Sequence, residues 1–364
     1  MELFFELILV ALGQRQALSK AYSADEWQEA FSISGAQAVE GVALMAAEQL
    51  PPEQQPPKEL MMQWTYNSAF FASKNARLDK AAQRLVENFA RVGWKSCILK
   101  GQGLATLYPV PSRRQAGDID VWIDAPAMDI IKYARKYCPD CHSVYYHIDF
   151  PIWEGISIEL HFFPSFLYAP DNNKHLREFF RRSSERVMAH KITLGDGTST
   201  AVCADSEFNA VYLLCHLFNH LMEEVIVVRQ YMDYYYVLRD IKDDETRHRI
   251  AKDVERIGLK SLARGVMYVM GEIFSLEREY MFVEPDAYVG RFLQKELMRN
   301  DALERIENRK TQRPVSYYIN RTRRSISMMR YFPKECVWSP FVRAYYFLVS
   351  RLRIFYYVHK AKKH

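Results

Sequence analysis

Gly117-Asp118-Ile119-Asp120-Val121-Trp122-Ile123 is the stretch on which the reading of this chain turns. It is short, apolar and rich in β-branched residues, which predicts a strand over 118–123. Side chains alternate across a strand. Asp118 and Asp120 therefore share one face, and Ile119, Val121 and Ile123 point the other way, toward a core. Two carboxylates held side by side repel each other unless a cation lies between them. The pair is a candidate for a hard dication such as magnesium, which takes oxygen ligands. A solvated acidic strand edge is the competing reading.

The flanking sequence alternates. Ser96 to Leu99 predicts a strand, Gly103 to Tyr108 a short helix, and Pro109 to Ala116 a loop. Pro126 to Tyr137 predicts a helix, then Val144 to Phe150 and Ile156 to Phe162 two strands joined around Trp153-Glu154-Gly155. This order implies an α+β fold with a small mixed β-sheet and helices packed on it. Glu159, in Ser157-Ile158-Glu159-Leu160-His161, is another acid on an apolar strand. If that strand lies beside the Asp strand, Glu159 completes a three-carboxylate cluster able to hold two magnesium ions. Asp124 and Asp149 are the rival third acids. Asp124 suits a helix cap equally well, and Asp149 a turn beside Phe150-Pro151.

Lys100-Gly101-Gln102-Gly103 ends the first strand and opens a helix. Glycine there lets the backbone approach phosphate, and helix N-terminal amides favour anions. Arg113 and Arg114 could clamp phosphate oxygens, with solvated loop arginines as the alternative. His161 lies two residues after Glu159 and shares its face, where it could orient a carboxylate or touch substrate, with a structural hydrogen bond as the alternative. His216 and His220 share one helix face. A buried histidine pair is one reading, and an acceptor site with Asp233 the other. Arg229 and Asp233, four apart, read as a helix ion pair.

The chain of 364 residues is long enough for more than one core. Residues 1–93 read as a helical region: Leu3, Phe4, Leu7, Ile8 and Ala11 have helical spacing, and Ser23 with Glu26 forms a capping box. A proline-rich break at 51–57 precedes a long helix from Lys58 to about Val92. Residues 94–205 form the α/β core, and 206–364 a second helical region with a basic tail. Residues 309–364 carry 14 Lys and Arg against one acid, Glu335, so the remainder is net acidic. Such a segment attracts polyanions or a membrane surface, or packs on the acidic remainder. No apolar run is long enough to span a bilayer, and the start lacks a signal-peptide pattern, which points to the cytoplasm. Cys138 and Cys141 form a lone CxxC, for which reduced thiols are the expectation and zinc the weaker reading.

The stretch Leu99-Lys100-Gly101, Tyr108-Pro109, Arg114, Asp118-Ile119-Asp120 and Glu159-Leu160-His161 resembles an uncharacterised bacterial nucleotidyltransferase family of the DNA polymerase β-like superfamily. The similarity covers roughly residues 95–240 and takes in His216 to His220, Arg229 and Asp233. It departs from the superfamily at Gln102, where the loop usually carries Ser or Gly. It also departs in the 17 positions from Gly101 to Asp118. The resemblance implies a nucleotidyltransferase-like core, a nucleoside triphosphate substrate, an acceptor hydroxyl and release of pyrophosphate. It also implies Asp118, Asp120 and Glu159 as ligands of two magnesium ions, and Gly101 in the nucleotide loop. A non-catalytic nucleotide-binding or interaction protein on the same fold is the alternative.

Overall fold

A computed structural model describes residues 1–153, 155–223, 225–298 and 314–361. For 152, 314–318 and 350–361 it describes the backbone alone. Three helices come first: α1 (Glu2–Ala11), α2 (Ala24–Ala36) and α3 (Glu40–Gln49). The Ser23 side chain and Glu26 cap the start of α2 reciprocally, as the capping box predicts. The long helix expected after the prolines is α4 (Lys58–Arg91). Leu78, Ala82, Leu85 and Phe89 recur along one face of it at helical spacing and are buried.

The mixed sheet has the order β1-β2-β4-β3, from β1 (Lys95–Leu99), β2 (Ile119–Asp124), β3 (His147–Trp153) and β4 (Ile156–His161). A short helix, α5 (Gly101–Ala105), follows β1, and α6 (Ala127–Tyr137) follows β2. Strands β3 and β4 are the two strands expected on either side of Glu154, which itself lies outside the described residues. Strands β2 and β4 are parallel, and β1 and β3 flank them antiparallel. Ile98, Ile119, Val121, Ile123, Ile158 and Leu160 pack on α4 and α6 from one sheet face. Each such side chain, fully buried, contributes about 1.5–3 kcal/mol.

The opposite face meets α7 (Pro170–Ala189) and α8 (Ser206–Glu223), where Trp122 lies 5.7 Å from the Phe208 ring and 6.2 Å from Phe180. A hairpin, β5 (Lys191–Thr193) and β6 (Thr200–Val202), separates α7 from α8. The helical region expected beyond Ser206 continues through α9 (Val228–Asp240), α10 (Asp244–Ile257), α11 (Lys260–Phe274) and α12 (Ala287–Leu297). Gly258, at φ +84°, ends α10 in a left-handed turn. The helices Pro314–Met328 and Pro333–Ala361 close the chain.

Glu335, the one acid of the basic segment, is buried and accepts from the Tyr168 and Ala169 amides and from Asn172. It fastens the last helix to the loop before α7. Outward-facing Ile326, Trp338, Phe341 and Tyr345 stay exposed. The part of the basic segment at 309–313 and 362–364 lies outside the described residues. No helix among the described residues is long and apolar enough to cross a membrane.

The cysteine expectation is corrected. Cys138 and Cys141 are joined in a disulfide. The turn after α6 brings the Cys141 amide to the Cys138 carbonyl at 3.2 Å and the two Cα atoms to 5.3 Å, within bonding range. Cys97, Cys203, Cys215 and Cys336 are free and buried.

Candidate metal and nucleotide site

Register builds the site. Asp120 stands opposite Glu159 across β2 and β4, and Glu159 opposite Asp149 across β4 and β3. Two residues along, and so on the same sheet face, Trp122 stands opposite His161, and His161 opposite His147. One face thus carries a row of three acids beside a row holding two histidines. The carboxylate oxygens of Asp118, Asp120 and Glu159 lie within 4.8 Å of one another. The parallel pairing therefore brings together the three residues expected to ligate metal. The donor set is all oxygen, which fits a hard dication. Of the rival acids, Asp124 is exposed at the far end of β2. Asp149 faces His147 and His142, at 3.6 Å and 3.9 Å.

Asp120 is the buried hub, 2% exposed. Its Oδ2 lies 2.6 Å from Lys100 Nζ, and its Oδ1 2.9 Å from His161 Nε2. Burial alone would push the Asp120 carboxyl pKa up, but the Lys100 ammonium and His161 outweigh it and hold it well below the usual carboxylate range. Burial likewise opposes charge on Lys100, yet the facing carboxylates hold its pKa well above the usual lysine value. Burial would lower His161 too, but its hydrogen bonds to Asp120 and Glu159 raise it to about 9. Lys100 reaches Asp120 from a left-handed backbone, φ +54°, which only a constrained turn imposes on a side chain with a Cβ.

A cleft opens over Asp118 and Asp120, lined by Lys100, Gly101, His216 and Arg229 among others. Several expectations do not hold there. Gln102 is buried and faces a second cavity behind the cleft, because the first turn of α5 rotates it away from Gly101. Arg113 lies away from the cleft and bonds Ser68 and Glu48. Gly41 makes that position available: a Cβ there would meet the Arg113 carbonyl at 2.4 Å, so only glycine lets α3 lie this close. Arg114 lines the cleft, but its guanidinium is held by Asp233 through two 2.7 Å bonds. Tyr108 donates to the same carboxylate at 2.7 Å.

Asp233 is therefore partnered by Arg114, not by Arg229 four residues before it. Arg229 instead turns to the Gln115 carbonyl, 2.9 Å away, while its Nε is buried with no hydrogen-bond partner. Burial and the neighbouring Arg114 both lower its pKa. This cleft-facing cation was hidden by its i, i+4 spacing to Asp233. His216 and His220 meet edge to face at 4.5 Å, and His216 reaches the cleft. Burial, then Lys100 and His220, holds His216 well below the usual histidine range, so it is neutral at pH 7. His147 carries only a weak sequence signal. The period-two pair His147 and Asp149, mirroring Glu159 and His161 on the next strand, was the available signal.

The second cavity is lined by Gln102, Asp79 and Asp196 among others. Asp79, on α4, accepts the Asp196 amide at 3.0 Å, and burial and then the Asp196 charge raise its pKa to about 7. The folded state thus binds a proton that the unfolded chain releases near the ordinary aspartate pKa of about 4. Its contribution is fully present below about pH 4 and is lost as pH rises to about 7. Asp79→Asn keeps an acceptor for the amide and removes the charge. It is expected to raise stability at pH 8 by about 1–2 kcal/mol, after discounting for partial solvation. At pH 4 the change is expected to be near zero. Urea unfolding at the two pH values checks this, and an equal shift at both would contradict it.

No curated protein matches the chain. Among solved structures, an antigenic nucleotidyltransferase-like protein from Paracoccidioides brasiliensis is similar at 10% identity, with 59% of this chain and 96% of that chain covered and a TM-score of 0.36. The profile of the family described as "Uncharacterised nucleotidyltransferase" matches residues 23–275, most of the chain and every residue named above as lining the cleft. The carboxylate cluster, the cleft over it and this match together place the chain: it belongs to the uncharacterised nucleotidyltransferase family.

Proposed function

We propose that the cleft transfers a nucleoside monophosphate from a nucleoside triphosphate to an acceptor hydroxyl, in the manner of the polymerase β-like superfamily. The observation that carries this reading is the parallel register of β2 and β4, which sets Glu159 opposite Asp120 and gathers it with the cleft-lining Asp118 and Asp120. Those three carboxylates would hold magnesium, two ions being the expectation. When bound, magnesium would neutralise phosphate charge and acidify the attacking hydroxyl. The acceptor oxygen bonds to the α-phosphorus while the bond to the bridging oxygen breaks, and pyrophosphate leaves. Glu159, the more open of the two acids opposed across β2 and β4, takes the hydroxyl proton. Gly101 lets the triphosphate approach the backbone. Arg229, with its Nε unpartnered, grips phosphate oxygens, and Lys100 is drawn from Asp120 toward them. Neutral His216 lies on the acceptor side.

Pyrophosphate release tests the reading across sugar, nucleotide, RNA-end and protein-hydroxyl acceptors. Release with one acceptor, weakened about tenfold or more by Arg229→Met, is expected. No release with any acceptor would overturn transfer. One observation favours a second reading, nucleotide binding without catalysis: Lys100 already satisfies Asp120, and Arg114 is committed to Asp233. Under that reading magnesium and nucleotide bind, and pyrophosphate never appears.

An anionic membrane surface is the partner proposed for the last helices. Arg323, Arg330 and Lys334 stand exposed beside Ile326, Trp338 and Phe341, while the acid Glu335 is turned inward. A cytoplasmic location is part of the same proposal.

A further inference from the structure

Beside the all-oxygen cluster lies a second donor set. His147 Nδ1 and His161 Nε2 approach Glu159 Oε2 at 3.4 Å and 3.3 Å, and each of the three residues offers a donor atom within 4.8 Å of the others. In a four-coordinate zinc site, bonds of about 2.0–2.1 Å place neighbouring ligand atoms about 3.3–3.4 Å apart. The two edges to Glu159 match that spacing.

The outer contacts of both rings point the same way. His161 turns its Nδ1 to the Phe163 carbonyl at 3.4 Å, which leaves Nε2 for the cluster. His147 turns its Nε2 to Asp149 Oδ1 at 3.6 Å, which leaves Nδ1. Metal-ligating histidines characteristically present one nitrogen to the ion and the other to a carboxylate or carbonyl. His147 is 9% exposed, and its Nδ1 is buried with no hydrogen-bond partner. A buried, unpartnered ring nitrogen aimed at a carboxylate is costly unless something binds it. Asp120 Oδ1, 2.9 Å from His161 Nε2, is placed to serve as a fourth donor.

We propose that His147, Glu159 and His161 form a binding site for a transition-metal dication of the zinc type, distinct from the Asp118 side of the cluster. Nitrogen donors select such ions over magnesium. Asp149 is a positioning residue that fixes the His147 ring. The proposal concerns binding alone and stands whether or not the chain transfers nucleotides.

Cobalt(II) reports on such a site through its visible spectrum and is tested on the full chain without nucleotide. Wild type is expected to bind about one equivalent with the intense band of a four-coordinate nitrogen–oxygen site. Zinc should displace it, and millimolar magnesium should not. His147→Gln is expected to weaken binding about 100-fold, and Asp149→Asn about tenfold. Asp118→Asn is expected to leave the band intact. Only the weak absorption of six-coordinate cobalt in wild type would overturn the site. So would a band that survives in His147→Gln, or one that Asp118→Asn removes equally. Should His147→Gln fail to fold by circular dichroism, the wild-type band and its resistance to magnesium still decide the matter.

Discussion

Asp118→Asn is expected to lower nucleotidyl transfer by about 10²–10³-fold while changing unfolding free energy by less than about 0.5 kcal/mol. The separation of the two effects follows from where Asp118 sits. It is half-buried at the cleft, and no salt bridge among the described residues engages its carboxylate. Its charge serves whatever enters the cleft. Asp120 is different. Its two oxygens hold Lys100 and His161 in the buried hub, so Asp120→Asn would leave both cations short of a partner. A loss of activity in that variant would mix chemistry with instability, which makes Asp118 the cleaner test. Turnover of the two variants, read beside their urea midpoints, checks the distinction. An active Asp118→Asn would remove the carboxylate cluster from the mechanism.

Asp233→Ala is expected to destabilise the fold by about 3–5 kcal/mol, the usual effect of stranding one member of a buried ion pair. Arg114 is 4% exposed and spends both bonding edges on Asp233, and Tyr108 adds a third bond to it. The carboxylate holds the Arg114 guanidinium charged in spite of its burial. The pair ties the loop after α5 to α9, and so fixes one wall of the cleft. Arg114→Met with Asp233→Leu removes both charges together and is expected to recover most of the loss. Denaturant unfolding of the single and double variants measures this. A single variant within about 1 kcal/mol of wild type would show that the pair is not what holds the wall.

What was legible in the sequence was whatever local periodicity encodes. The acidic strand, the long helix α4, the capping box at Ser23 and the helical C-terminal half follow from spacing two or 3.6. The parallel pairing that sets Glu159 opposite Asp120 does not, because two strands separated by α6 and β3 carry no local mark of their order. Arg114 and Asp233 lie 119 positions apart, and the misleading i, i+4 partner, Arg229, was nearer at hand. Gln102 followed Gly101 in the motif but not in space, since one residue along a helix turns a side chain by about 100°. The disulfide rested on a turn geometry that CxxC spacing allows without requiring. The hairpin of β5 and β6 has strands too short to leave a periodic signal.

The central claim is that the cleft over Asp118, Asp120 and Glu159 binds a magnesium–nucleotide complex. Calorimetric titration with a non-hydrolysable nucleoside triphosphate tests it most directly, with and without magnesium, on wild type and on Asp118→Asn. Binding that requires magnesium in wild type and disappears in Asp118→Asn is the predicted result. Absence of binding to wild type, or binding that ignores both magnesium and Asp118, would contradict it.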